Sequence, residues 1–269
     1  MAAPDHVAWL EDTGDVIETT DGLEAEIWVL QHADDPAILS AWAIHYRQHY
    51  CRDEDLPDLV ADTGLSNADF LTNIKFPDAA AAPGPSTRSG DFGEILVADF
   101  IEYVLGYWCP RHGRFEDREN RNVPSNGTDV IGFKFTGDEQ SPDDELLVIE
   151  SKAGFRPTTA NRLQQAIDHS GKDRAREAMS LSAIKQRLLK INRDEALKVG
   201  RFQNQADRPF MRTNAAVAVL DDEVFDEMTL DESDASDHPN RDNLRLIIIR
   251  GISMMDLVHA LYERAANEA

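Results

Sequence analysis

The chain has 269 residues, 42% apolar and 29% charged, which is enough to bury a core and too apolar for a disordered tail. Its net charge is −23, the opposite of what a chain gripping nucleic acid unaided would carry, and no run of about 18 apolar residues is present to span a membrane. The first 14 residues hold Asp5, Glu11 and Asp12 and lack a basic region followed by an apolar stretch, so no secretory leader is expected and the chain is read as cytoplasmic.

In chain order, Ile27 to Leu30 predicts a strand. Asp34-Asp35-Pro36 then opens a helix, since an acid caps the first free amides and proline suits the first turn. That helix is expected over Ala37 to Tyr50, with Ile38, Trp42 and His45 or Tyr46 on one face. Cys51 and Cys109 stand far apart and outside any CxxC, and are expected to be structural. Shorter helical pieces are predicted at about 56–63 and after Ser66, where Asp69 is a capping partner. Pro77 to Pro85 (PDAAAAPGP) is the strongest break. It is taken as the boundary between an N-terminal region, 1–76, for scaffolding or partner contact, and a second domain, 86–269.

Asp91-x-x-Glu94 resembles a capping arrangement before a buried helix over Phe92 to Leu105, which Gly106 stops. Arg111 to Asn126 is polar and predicted to be loop. Val130 to Phe135 and Leu146 to Ile149 predict two paired antiparallel strands. Helices are expected at about 159–170 and 172–191, and buried strands at 215–220 and 244–249. The acidic stretch 221–243 is expected to be at best partly ordered, and Ser253-x-x-Asp256 to cap a last helix running to about Ala266. The sum is an α/β fold: a mixed central sheet flanked by helices.

Charge is unevenly spread. From Arg156 to Arg212 there are 13 Lys and Arg against 6 Asp and Glu. Such a basic stretch inside an acidic chain suits a phosphate backbone, or is a solvated pair of helices. Arg162 and Lys172 in it are candidate nucleic-acid contacts.

The chemistry concentrates at Gly127-Thr128-Asp129, followed 21 residues after the Asp by Glu150-Ser151-Lys152. Residues two apart on a strand share a face, so Glu150 and Lys152 leave the sheet together and Asp129 can reach the same side. Two carboxylates suit a hard divalent cation such as Mg²⁺, with Mn²⁺ as a substitute and the Ser151 carbonyl as a third ligand. Lys152 would orient a water or stabilise charge developing on a phosphate. Glu94 is a fourth candidate, explained either by the dipole of a helix start or by a link to the metal. Gln164 and Gln165 either bond the metal water or the DNA backbone, or lie on a solvated helix face.

The order Glu94, Gly127-Thr128-Asp129, Glu150-Ser151-Lys152 is similar to the PD-(D/E)XK nuclease superfamily over about residues 90–170, with Thr128 where a proline often stands. A longer pattern, GDFGEILVADFIEYVLGYW, GTDVIGFK and LLVIESKAG, with WAIHYRQHYC and FP upstream, resembles the HamA nuclease subunit of Hachiman antiphage defence systems. The resemblance implies a restriction-endonuclease-like core and a DNase whose catalytic residues are Asp129, Glu150 and Lys152, with Glu94 beside them. It also implies an ATP-dependent helicase partner that controls access to DNA and supplies the affinity an acidic chain lacks. Two other readings are a non-catalytic adaptor on a helicase and a restriction-type endonuclease. Intact Asp129, Glu150 and Lys152 argue against the first, and the lack of a separate DNA-reading motif against the second.

Overall fold

Six strands form one mixed sheet in the computed structural model, which describes residues 2–124, 127–171 and 174–269. In chain order they are β1 (Leu10–Glu18), β2 (Glu24–Leu30), β3 (Val130–Lys134), β4 (Glu145–Gly154), β5 (Met211–Asp221) and β6 (Leu244–Gly251). Their spatial order is β1-β2-β6-β5-β4-β3. The two outer pairs, β1–β2 and β3–β4, are antiparallel, and the inner pairs are parallel. The parallel centre is buried on both faces, which is why β5 and β6 read as unbroken apolar runs.

The nine helices of the described residues are α1 (Pro36–Arg47), α2 (Leu56–Val60), α3 (Asn67–Phe70), α4 (Gly84–Asp99), α5 (Arg162–Ser170), α6 (Arg174–Leu188), α7 (Arg193–Val199), α8 (Glu227–Asp231) and α9 (Met254–Asn267). They lie on both faces of the sheet. Odd-numbered strand residues such as Leu147, Ile149, Val217 and Ile249 pack with α1, α4 and α9. Even-numbered ones such as Ala216, Ala218 and Ile248 pack with α5, and Leu146 and Val148 pack with α6 and α7. This is the α/β architecture expected.

Residues on the two sides of Pro77–Pro85 share one sheet and one core: β2 pairs with β6, and Trp42 and Tyr46 of α1 lie in the cluster that holds Leu261 and Tyr262 of α9. Asp35 caps α1 as predicted, accepting from the amides of Ala37 and Ile38 at 2.9 and 3.2 Å. Both cysteines are free and buried.

Several expectations are corrected. The helix expected from Phe92 begins at Gly84, eight residues earlier, and ends in a π-helical turn, Phe100–Val104. Its polar first half is stabilised by distant partners: Thr87 Oγ1 donates to the Asn122 carbonyl at 2.8 Å, and Arg88 Nε to the Pro77 carbonyl at 2.7 Å. Asp91 is therefore mid-helix and not a cap. It is buried and held by two bonds from Arg118 at 2.7 and 2.8 Å and by the Tyr50 hydroxyl at 2.7 Å. The stretch 221–243 is also more structured than expected: it contains α8, buries Leu230, Ser233, Ala235 and His238, and is tied to Asp21 by Arg241 Nε at 2.7 Å. Ser253 does not cap α9 with its side chain; Asp221, at the end of β5, accepts from the Met254 amide at 2.7 Å instead. Strand β1 and helix α7 were not anticipated. β1 exposes most of its residues, so it lacks a period-2 apolar signal.

No helix among the described residues is long and apolar enough to cross a membrane.

Candidate active site

The end of β4, the turn before β3 and the middle of α4 meet in a cleft of about 670 Å³ lined by Glu94, Asp129, Glu150, Lys152, His169 and Arg176, among others. β4 is longer than expected and runs to Gly154, so Glu150 and Lys152 are themselves strand residues. They project on the face covered by α5 and α6. Ser151 projects to the other face, where its Oγ would lie 3.5 Å from a Cβ placed on Gly93 of α4.

Asp129 is positioned by the turn before β3. Gly127 has φ +108°, a conformation suited to glycine, and a Cβ there would come within 2.8 Å of Ser180 Oγ. Helix α6 pins this turn: the Thr128 amide donates to Ser180 Oγ at 2.9 Å, and Arg176 Nη2 to the Gly127 carbonyl at 2.7 Å. Asn126, at the end of the expected loop, lies outside the described residues, as does Lys172. Val130 pairs with Ile149, which brings Asp129 alongside Glu150. Asp129 Oδ2 accepts from the Ser151 amide at 2.9 Å.

The Lys152 ammonium shows what this geometry attracts. Its Nζ donates to Glu150 Oε1 at 2.6 Å and to the Ser151 carbonyl at 3.3 Å, and lies 4.0 Å from Asp129 Oδ2. Those three groups are the oxygen ligands expected for a metal. An all-oxygen donor set with two carboxylates suits Mg²⁺ or Mn²⁺, so the residues present fit the cation.

Glu94 stands well inside α4, not at its start, so the helix-dipole explanation falls away. Arg114, from the loop after α4, joins it to the centre. Arg114 Nε donates to Glu94 Oε2 at 2.7 Å, Nη1 to the Thr128 carbonyl at 2.9 Å, and Nη2 lies 3.6 Å from Asp129 Oδ1. Two further residues reach Glu150: His169 Nδ1 at 3.3 Å from Oε1, and Arg176 Nη1 at 4.0 Å from Oε2. Arg114, His169 and Arg176 were not singled out from the sequence. Arg162, Gln165 and His169 are spaced i, i+3, i+7, a stripe on one face of α5 that could have pointed to His169.

Of the other candidates, Arg162 lines the cleft. Gln165 accepts from Arg162 Nη1 at 2.7 Å. Gln164 faces elsewhere: it donates to Asp168 Oδ1 and the Asp234 carbonyl and accepts from the Asp234 amide at 2.7 Å, so it fastens the 231–240 segment and does not serve the cleft.

The family model for HamA matches residues 5–265, nearly the whole chain. The chain belongs to the HamA family. Membership makes it an antiphage defence protein of the Hachiman type. A search of curated proteins finds no significant match. The match spans the N-terminal helices as well as the cleft. In this HamA chain, Trp42, Tyr46 and Tyr50 of the WAIHYRQHYC segment are fully buried and support α4 from behind.

Burial outweighs the local cations at two carboxylates of the centre, Asp129 and Glu94. Burial pushes Asp129 up to about 6, and the neighbouring Glu150 charge adds to the effect. Burial also raises Glu94, with the Asp129 charge adding to it, in spite of the Arg114 ion pair. A carboxylate raised in the folded state contributes stability that is complete below its ordinary pKa and lost as pH rises through the raised value. A divalent cation held by Asp129 would keep it ionised and remove that loss. If Mg²⁺ binds there, the rise in melting temperature it produces is expected to grow between about pH 5 and 7 as Asp129 gives up its proton. Thermal unfolding with Mg²⁺ or with chelator across that range is the measurement; a shift that shrinks as pH rises would contradict the assignment.

Proposed function

We propose that this HamA chain is a Mg²⁺-dependent DNA nuclease acting as the effector subunit of a complex with an ATP-dependent helicase. The observation that supports it most is the convergence of Asp129, Glu150 and the Ser151 carbonyl around the Lys152 ammonium in an open cleft. Asp129, Glu150 and the Ser151 carbonyl would hold the metal. Bound there, Mg²⁺ or Mn²⁺ supplies Lewis acidity toward a phosphate oxygen and lowers the pKa of a bound water. Lys152 contributes a mobile point charge that can turn from Glu150 toward the phosphate or the attacking water. His169 and Arg176 keep the Glu150 carboxylate oriented toward the centre, and Arg114 does the same for Asp129.

Charge supports a partner, as does the family's implication of a defence-system complex. A chain at −23 repels a phosphate backbone at long range, and only a local patch of arginines favours it. A motor that already holds DNA removes that barrier.

The test is degradation of plasmid DNA with Mg²⁺ and ATP by the chain alone and by the chain assembled with its helicase. The complex is expected to degrade the plasmid and the chain alone to do so much more slowly. Equal rates would remove the dependence on a partner, and no degradation in either case would favour a non-catalytic adaptor. A fixed set of fragments would instead favour a restriction-type enzyme.

A further inference from the structure

Acids outnumber bases 50 to 27 in this chain, and most of its described arginines are ion-paired. Two arginines lining the cleft are exceptions. Arg156 is exposed and makes no hydrogen bond or ion pair with any described residue. Arg162 donates Nη1 to Gln165 Oε1 at 2.7 Å, while its buried Nε has no partner and no carboxylate pairs with it among the described residues. Where carboxylates are in such surplus, guanidinium groups left without one are available for an anionic ligand.

Their placement defines the ligand. Glu150, Lys152 and Gly154 alternate onto one face of β4. Gly154 has no side chain, and the stem of Arg162 fills its place: a Cβ on Gly154 would come within 3.1 Å of Arg162 Cγ. Arg162 thus occupies the next position on the Glu150–Lys152 face, roughly 7 Å along the strand from Lys152. Arg156 follows just beyond the end of β4. The facing wall, from α4, offers the small neutral residues Ser86, Ser89 and Gly90.

We propose that Arg162 and Arg156 bind the backbone phosphate next to the one that is cut, so that the centre acts on a polynucleotide strand and discriminates against isolated phosphodiesters. This rests on the nuclease reading above. A guanidinium matches two oxygens of a phosphate at once, and Gln165 orients the Arg162 head so that little entropy is lost on binding. Binding at that neighbouring phosphate holds the scissile one over the carboxylates.

Arg162→Met keeps the stem over Gly154 and removes the charged head, and Arg156→Gln removes the other. Both are compared with the parent, assembled with the helicase, on plasmid DNA and on bis(4-nitrophenyl) phosphate, which has no second phosphate. Melting temperatures verify that each variant is folded. Each is expected to lower kcat/KM on DNA about tenfold more than on the small diester, as loss of a charged hydrogen bond does. The salt-dependence slope of DNA binding should fall by about 0.7–0.9 for each arginine removed. Parallel losses on the two substrates, which a purely structural role would give, or undiminished DNA cleavage would overturn the inference. A parent that hydrolyses neither substrate would overturn the nuclease reading, and this inference with it.

Discussion

Glu150→Gln is expected to fold normally and to cleave DNA at least about 10²-fold more slowly than the parent, and Lys152→Ala to show a loss on the same scale. The two variants should part on metal binding. Glu150 is almost wholly buried, accepts from Lys152 at 2.6 Å and lies beside His169 and Arg176. The amide of glutamine has the same shape and no charge, so the site keeps its packing and loses a metal ligand. Removing Lys152 takes away a competing cation and leaves the oxygen ligands in place. Mg²⁺ binding by calorimetry should therefore weaken sharply in Glu150→Gln and persist in Lys152→Ala. If both variants cut DNA at the parental rate, the chemistry lies elsewhere in the chain.

The largest expected loss of stability is at Asp99, outside the cleft. It is fully buried, and accepts from His6 Nε2 and His45 Nε2 at 3.0 Å each and from Arg111 Nη1 at 2.6 Å. Arg111 also pairs with Glu102. This network ties the short 3-10 segment Asp5–Trp9 and helix α1 to the end of α4. His6, His45 and Asp99 bring three possible metal-ligand atoms within 4.8 Å of one another. The Arg111 guanidinium already neutralises the carboxylate, so the cluster is an ion network of the core. Burial alone would raise Asp99, yet Arg111 and then the two histidines outweigh it and hold its carboxyl well below the usual range.

Asp99→Ala leaves His6 and His45 without their acceptor and Arg111 with Glu102 alone. A cost of about 3–5 kcal/mol is expected, or about 6–20 °C in melting temperature for a domain of this size. Because the folded-state pKa is depressed, the stabilisation is present above the ordinary carboxylate pKa and is lost only as pH falls through that range. The gap between parent and variant should be full at pH 7 and narrow on acidification to about pH 3. Chemical denaturation at the two pH values measures it, and a variant as stable as the parent at pH 7 would show that the network contributes little.

The parts of the site legible in the sequence are those set by local periodicity. Glu150 and Lys152 could be placed on one face because strand residues alternate, and Asp129 could be placed beside them because Gly127 marks the turn into the paired strand. The parts that were not legible come from segments whose approach depends on tertiary packing. Arg114 sits in an irregular loop, and nothing in its neighbourhood says that it will bridge Glu94 and Asp129. Helix α4 was predicted to begin too late because residues 84–91 lack an apolar face; they are helical since Thr87, Arg88 and Asp91 find partners far along the chain. Gln164 has a residue type suited to the cleft, but one step of 100° around α5 turns it away from the stripe that reaches the cleft. The segment 221–243 looks unstructured in the sequence because Leu230 and Ala235 are the only apolar residues among those it buries there, and they stand among acids.

The claim on which the rest depends is that the Asp129, Glu150 and Ser151 oxygens form a divalent-metal centre for cutting DNA. The most direct test follows strand cleavage by the unaltered chain, assembled with its helicase, in Mg²⁺ and in EDTA. Cleavage that requires Mg²⁺, is restored by Mn²⁺ and stops in EDTA is the predicted result. Cleavage that continues in EDTA, or none under any of these conditions, would contradict it.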